Sequence, residues 1–318
     1  MKIAYCIIAH KDPVQLERLI KALYIKDTTS FYIHIDRKAN IKLFENLLNS
    51  APNIHIIKKR INVKWGAYSQ CESQISLLES VLSDNVAYNR IFFLSGLDYP
   101  LWSNNHILDY LKNNDNKELI MAFNLTKSKI IKQQNKVIKY YFNDTFKILG
   151  RLSGRISLFI NKLIAKLKLK KENSILIEGK RYDVFMGSSW FCLTYDCAKY
   201  VMYMLNRHPK ITKYFKYSFT PDEMMIHTIV FNSHFAQNAI LHNGDYPQLV
   251  NLTPLHYIEY TNKIAIYTYK DFDKLIESNK MFVRKLETKI SDELISMIDA
   301  YRKGMEEKAC ARDVFQRD

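Results

Sequence analysis

The stretch from Phe219 to Val230 reads Phe-Thr-Pro-Asp-Glu followed by a largely apolar run. Thr220 fits a helix N-cap, Pro221 the first helical position, and Asp222 and Glu223 an acidic first turn. A carboxylate fixed at the start of a rigid helix is well placed to take a proton from an attacking hydroxyl. Thr-x-x-Glu is equally a capping box, in which Glu223 would only bond back to the Thr220 N–H. Two further acids, Asp36 and Asp98, follow apolar runs that read as strands, where they either meet a ligand or cap the next turn. The basic pair Arg284-Lys285 offers a planar fork beside a point charge, suited to an anion or simply to solvent.

The elements around these residues alternate. Ile3 to Ala9 and Phe31 to Asp36 are β-rich, and Val14 to Tyr24 between them carries Leu16, Leu19, Ile20 and Leu23 at helical spacing. Ile54 to Ile57, a helix from about Ser69 to Leu82 and the strand Arg90 to Leu94 continue the pattern. It predicts an α/β domain with a central, mostly parallel sheet flanked by helices, binding its ligand beyond the carboxyl ends of the strands. Strand-like sequence returns from Tyr182 to Thr194. A helix is expected over Asp196–Leu205, another from Lys270 to near Ser278, a turn at Met281–Leu286 and a last helix over Asp292–Tyr301. One domain is expected over 1–302, with a first half at 1–125, a basic insertion at 126–171, a second half at 172–302, and a charged, frayed tail at 303–318. Neither a Gly-x-Gly-x-x-Gly nor a Walker A loop is present, so dinucleotide-binding and P-loop readings lack their fingerprint.

The 318 residues carry a net charge of +15, which implies an anionic partner. Most of that charge falls between Thr126 and Lys171, where thirteen basic residues face the single acid Asp144. Within it Leu152, Ile156, Phe159, Ile160, Leu163 and Leu167 recur opposite Arg151, Arg155, Lys162 and Lys166, describing a basic amphipathic helix over 151–171. It reads as a solvated surface helix, a dock on an anionic membrane leaflet, or a contact to a phosphorylated acceptor. No nucleic-acid partner is expected, because aromatics are not interleaved with the charge in a stacking pattern. No apolar run reaches the length of a membrane span. Cys6, Cys71, Cys192, Cys197 and Cys310 are odd in number and lack zinc-site spacing, which fits reduced thiols in a cytoplasmic protein.

Seven stretches, in order, resemble the core-2/I-branching β-1,6-N-acetylglucosaminyltransferases and the related peptide O-xylosyltransferases. They are Tyr5-Cys6-Ile7-Ile8-Ala9-His10-Lys11, Tyr32-Ile33-His34-Ile35-Asp36-Arg37-Lys38, Trp65-Gly66-Ala67-Tyr68-Ser69, Leu94-Ser95-Gly96-Leu97-Asp98-Tyr99-Pro100-Leu101, Gly187-Ser188-Ser189-Trp190-Phe191, Pro221-Asp222-Glu223 and Met281-Phe282-Val283-Arg284-Lys285. The resemblance implies a GT-A-like nucleotide-sugar transferase fold, with 1–125 the nucleotide-binding half and 172–302 the acceptor and catalytic half, inversion at the anomeric carbon, a UDP-sugar donor and no metal or other cofactor. It implies that Glu223 is the general base, that Asp36 lies at the uridine, and that Arg284 and Lys285 lie at the diphosphate, with Asp98 and Lys263 as further donor-side candidates. Trp190 and Tyr260 are candidates to stack on sugar faces at the acceptor side, although Trp190 sits in an apolar run that suits a core. Asp271-Phe272-Asp273 is the one Asp-x-Asp triplet, and it opens a predicted helix, where first-turn acids favour the dipole.

The chain departs from the animal branching enzymes, which carry an anchor, a stem and disulfides. That suits a bacterial-type, cytoplasmic enzyme, docked on the inner membrane face, that moves N-acetylglucosamine to a glycan or lipid-linked saccharide. A UDP-xylose-dependent xylosyltransferase is one alternative. The other is a non-catalytic membrane- or glycan-binding protein on a degenerate transferase fold.

Overall fold

β1 (Ile3–Ala9) is apolar along its whole length because both faces of its sheet are covered. Ala4 and Cys6 point into one hydrophobic cluster, and Ile3, Tyr5, Ile7 and Ala9 into another. The computed structural model of the chain describes residues 1–48, 53–143, 153–244, 249–260 and 263–315. The remaining strands are β2 (Thr29–Ile35), β3 (Ile54–Ile56), β4 (Arg90–Ser95), β5 (Asp98–Pro100), β6 (Met121–Asn124), β7 (Ser174–Ile177), β8 (Lys180–Asp183), β9 (Phe185–Gly187), β10 (Cys192–Thr194), β11 (Ile240–His242), β12 (His256–Ile258) and β13 (Phe282–Arg284).

Among the described residues the main sheet has the order β10-β4-β1-β2-β3, parallel throughout except for β10. The chain runs outward from β1 through β2 to β3 and returns on the other side as β4. A crevice therefore opens between the carboxyl ends of β1 and β4, the usual ligand position in such sheets. Helix Pro13–Leu23 covers one face, capped by Asp12, whose side chain accepts the Gln15 N–H at 3.1 Å. Its buried Leu16, Leu19, Ile20 and Leu23 form the expected stripe, each worth on the order of 2 kcal/mol of burial. Helix Ser69–Ser83 covers the other face through Cys71, Leu77, Leu78 and Val81. Two smaller sheets, β11-β6-β9 and β12-β13-β5, close the crevice from the sides.

Several expectations need correction. Met281–Leu286 holds the strand β13 rather than a turn, because β12 and β5 supply its partners from distant sequence. Asp98 opens β5 in a side sheet rather than ending a strand of the main one. Thr220 holds the N-cap position, but of a single 3-10 turn, Pro221–Glu223, that precedes helix Met225–Phe231; it is left-handed (φ 49°) and its side chain makes no cap bond. The last helix continues from Asp292 to Phe315, because Arg302 is buried and donates to the Trp102 carbonyl and Glu306 accepts the Asn104 N–H. In the basic segment Arg151 and Leu152 lie outside the described residues. The helix spans Ser153–Lys166, and Phe159 and Leu163 on it, with Leu167 just beyond, are exposed rather than packed. Cys6, Cys71, Cys192 and Cys197 are buried free thiols, and Asp271 forms a capping box with Thr268.

Candidate functional site

Two adjoining cavities, about 320 and 140 Å³, lie at the carboxyl ends of β1, β2 and β4. His10, Asp36, Lys38 and Ser95 border the larger. Glu223, Thr253, Ile258 and Tyr260 border the smaller. Trp65, Gln70, Ser189, Trp190, Asp222 and Arg284 belong to both, so they form the partition between them. The larger volume suits a small polar ligand, and the smaller a single ring.

Arg284, at the end of β13, is held from behind. Its Nη1 donates to Asp98 Oδ1 at 3.0 Å, and its guanidinium lies 4.5 Å from the centre of the Trp190 ring. Asp98 is fully buried, and its other oxygen meets His256 Nε2 at 3.0 Å and the Ser95 N–H at 2.7 Å. Burial pushes that carboxyl up, but His256, Arg284 and the Ser95 N–H outweigh it, and the net shift is downward. Asp98 therefore borders neither cavity: it positions Arg284, a correction to its place among the donor-side candidates. The Arg284 Nε is buried with no protein acceptor. A buried donor left open beside a cavity is suited to an incoming oxyanion.

Asp36 follows β2 and is nearly buried. Its Oδ1 accepts the Lys38 N–H at 2.9 Å, and Oδ2 lies 3.4 Å from Lys38 Nζ. It caps the turn and borders the larger cavity at once. Lys285 turns away: Glu287 Oε1 accepts it at 3.1 Å and Lys11 at 2.7 Å. Lys263 is exposed and, like Lys285, is part of neither wall. Tyr260 is 46% exposed, a ring at the mouth rather than in a core. Trp190 is partly buried and faces both cavities, so its apolar surroundings do not make it a core residue.

Glu223 faces the smaller cavity with 15% of its side chain exposed, and Lys136 Nζ lies 3.4 Å from its Oε2. Burial raises its carboxyl above the usual range, and Lys136 draws it part of the way back. Its neighbour Asp222 is raised too, first by burial and then by the Glu223 charge. Asp222 Oδ2 accepts Ser189 Oγ at 2.6 Å and Gln70 Nε2 at 3.0 Å, while its Oδ1 is buried without a partner. Two adjacent carboxyls whose environments differ are poised to divide labour, the more accessible one taking protons and the enclosed one holding position.

The backbone around them explains Thr220. Its N–H donates to the Gly66 carbonyl at 3.1 Å. Gly66 is itself left-handed (φ +69°), and a Cβ there would come within 2.7 Å of the Phe219 ring. Only glycine fits that approach. It sets Trp65, 72% exposed, edge-on to Phe219 at the rim of both cavities.

Sequence reasoning about individual side chains missed His10, Trp65, Gln70, Ser189 and Lys136. The first two and Ser189 sat inside stretches that carried the family resemblance. Lys136 was one cation among thirteen, and nothing local distinguished it. Among the described residues no three His, Cys, Asp or Glu side chains converge as a metal-ligand group, and no helix is long and apolar enough to cross a membrane.

A family model described as Core-2/I-Branching enzyme matches residues 3–276. Among curated relatives, xylosyltransferase 2 of Rattus norvegicus is 24% identical over 320 residues, covering 96% of this chain and 34% of the relative. Beta-1,3-galactosyl-O-glycosyl-glycoprotein beta-1,6-N-acetylglucosaminyltransferase 4 of Danio rerio is 22% identical over 332 residues, covering 98% of this chain and 72% of the relative. The chain thus spans about a third of the length of the xylosyltransferases it matches. Among solved structures, the bifunctional glycosyltransferase WbbM aligns at 9% identity and a TM-score of 0.38, covering 89% of this chain and 45% of that one, a likeness too distant to bear on the site.

Proposed function

The chain belongs to the core-2/I-branching enzyme family, and from that premise we propose that it is an inverting, metal-independent glycosyltransferase of GT-A-like architecture. The observation that carries this reading is the partition: a carboxylate with proton-acceptor chemistry lies on one side, and an anion-seeking arginine fork spans to the other. A UDP-sugar sits in the larger cavity, its uridine towards Asp36 and its diphosphate against Arg284, with His10 and Lys38 adding polar and cationic lining. The acceptor enters the smaller cavity past Tyr260 and Trp65.

Glu223 takes the proton of the acceptor hydroxyl as its oxygen bonds to the anomeric carbon. The bond to the diphosphate breaks on the opposite face, the leaving group keeps the electron pair, and Arg284 meets the charge that develops there. An α-linked donor thus gives a β-linked product. Asp222, held by Ser189 and Gln70, keeps the turn that carries Glu223 in place.

N-acetylglucosamine is the proposed sugar. Xylose is the second reading, favoured by the relatives named xylosyltransferases. The acceptor is a glycan or lipid-linked saccharide, and helix Ser153–Lys166 docks the enzyme on an anionic leaflet. What supports the docking is that Leu158, Phe159, Leu163, Leu167 and Leu169 are all exposed among Lys162, Lys166 and Lys168, an apolar face within a cationic one.

Calorimetric titration of UDP in EDTA, with Arg284→Ala/Lys285→Ala alongside, tests the donor site. Binding that survives chelation and disappears in the variant is expected. Binding that appears only after Mn²⁺ is added would overturn metal independence, and none under either condition would overturn the transferase reading.

A further inference from the structure

A second cavity, apart from the catalytic pair, plays no part in the transfer just described. It measures about 660 Å³ and lies where the end of the basic segment, the β7–β8 hairpin and helix Pro209–Phe215 meet. Lys170, Lys171, Arg181, Lys210 and Lys213 line it, against the one acid Glu172. Lys170, Lys210 and Lys213 are exposed, and no carboxylate among the described residues pairs with them. Five cations converge on one concavity that Glu172 and Asp183, the latter 3.9 Å from Arg181 Nε, neutralise only in part, and an anion between them relieves the remaining repulsion.

Lys171 is built in more firmly. Its Nζ donates to the Tyr214 carbonyl at 3.1 Å, the Tyr217 carbonyl at 3.3 Å and Ser218 Oγ at 2.6 Å. It also lies 4.8 Å from the Tyr214 ring centre and 5.8 Å from that of Tyr140. Burial pushes its ammonium down to about 7, so an anion nearby would restore its full charge. With Tyr217, these tyrosines give the cavity flat apolar walls in addition to its charge. A lone phosphate needs far less room, whereas a sugar ring uses an aromatic face and a cation together.

The cavity is also near enough to the catalytic site to share a ligand with it. Tyr217 is six residues before Glu223, so the two backbones are at most about 20 Å apart. Phe219, between them, packs on Trp65 at the rim of the catalytic cavities. The Lys171 N–H donates to the Ile138 carbonyl at the end of the helix whose Lys136 pairs with Glu223. We propose that this cavity is an acceptor subsite for an acidic saccharide, holding a carboxylate or phosphate a few sugar units away from the hydroxyl that reacts at Glu223. The assignment rests on the transferase reading for the acceptor's role, but not for its binding.

The test is calorimetry on the full chain with three probes: an oligogalacturonate, a phosphorylated oligosaccharide, and a neutral oligosaccharide of the same length. Lys210→Glu/Lys213→Glu changes two exposed side chains, and its melting temperature and UDP affinity report whether the fold and the donor site survive. The expected result is that at least one acidic probe binds and identifies the anion. The variant should then weaken it at least tenfold with UDP binding unchanged, and salt should weaken it in the wild type. Equal binding of the neutral probe, equal binding by the variant, or no binding of either acidic probe would each overturn the proposal. A failure of UDP to bind would count against the transferase reading alone, because the oligosaccharide titrations do not depend on it.

Discussion

Arg284→Ala separates what this arginine does for the fold from what it does for the donor. Removing one partner of a buried ion pair typically costs about 3–5 kcal/mol, because the other charge is left behind. Here His256 at 3.0 Å and the Ser95 N–H at 2.7 Å remain on Asp98, which places the cost near the lower limit, about 3 kcal/mol. For a chain of 318 residues that corresponds to a fall in melting temperature of about 4–5 °C. Asp98→Asn in the same chain removes the stranded charge, so the double variant should recover part of the loss, a non-additivity that a double-mutant cycle reads directly. UDP affinity should fall about 10- to 100-fold in Arg284→Ala, the worth of a charge-assisted bond to a phosphate. It should not recover in the double variant. The pH dependence is an internal check. In the wild type the Asp98 carboxyl is held below its usual range, so its contribution to stability is present near neutrality and is lost as pH falls through that lowered value. Without Arg284 the folded-state value rises, so the gap between wild type and variant should narrow from neutral towards acid pH. A variant that melts within 2 °C of wild type and binds UDP equally well, in thermal and calorimetric assays, would refute the reasoning about the pair.

Two further outcomes follow from the site. Glu223→Gln should lower kcat by roughly 10²- to 10⁴-fold with UDP affinity retained. Because the base must be ionised and burial raises its pKa, the wild-type rate should fall with decreasing pH at a higher pH than the roughly 4.3 of a free glutamate. A loss of only a few-fold in initial-rate assays would remove Glu223 from the role of base. For the helix proposed to dock, Ser153–Lys166, Leu158→Asp/Phe159→Asp should reduce partition onto phosphatidylglycerol vesicles about 100-fold, since each exposed side chain is worth at least about 1.5 kcal/mol on burial. Co-sedimentation equal to wild type would mean that the lysines alone carry any attachment.

The main sheet was legible in the sequence because its strands are buried on both faces and its first helix carries a clean stripe. Asp36 and Glu223 were singled out because each sits next to a recognisable element boundary, and Arg284 because its stretch carries the family resemblance; the structure places all three at the two cavities. What could not be read depended on pairing across distance. β13 is three residues long and exists because β12 and β5 flank it. The Thr-Pro-Asp-Glu turn has the composition of a capped helix start, yet the Gly66 carbonyl claims the Thr220 N–H and turns its backbone left-handed. Asp98 had the composition of a ligand-binding acid. Only the side chains of His256 and Arg284, some 160 and 190 residues further on, show that it is consumed inside the protein.

With Glu223 in the proposed role of base, the Lys136–Glu223 contact ties its strength to the position of a helix that belongs to the basic segment. Lys136 counteracts part of the burial effect on Glu223, so any displacement of helix Ile131–Ile138 that lengthens the 3.4 Å separation makes the carboxylate harder to ionise. The acid limb of the rate profile is therefore a ruler for that separation. An occupant of the segment that pulls the helix outward would move that limb to higher pH, and one that presses it inward would move it to lower pH, with no residue of the donor pocket moving at all.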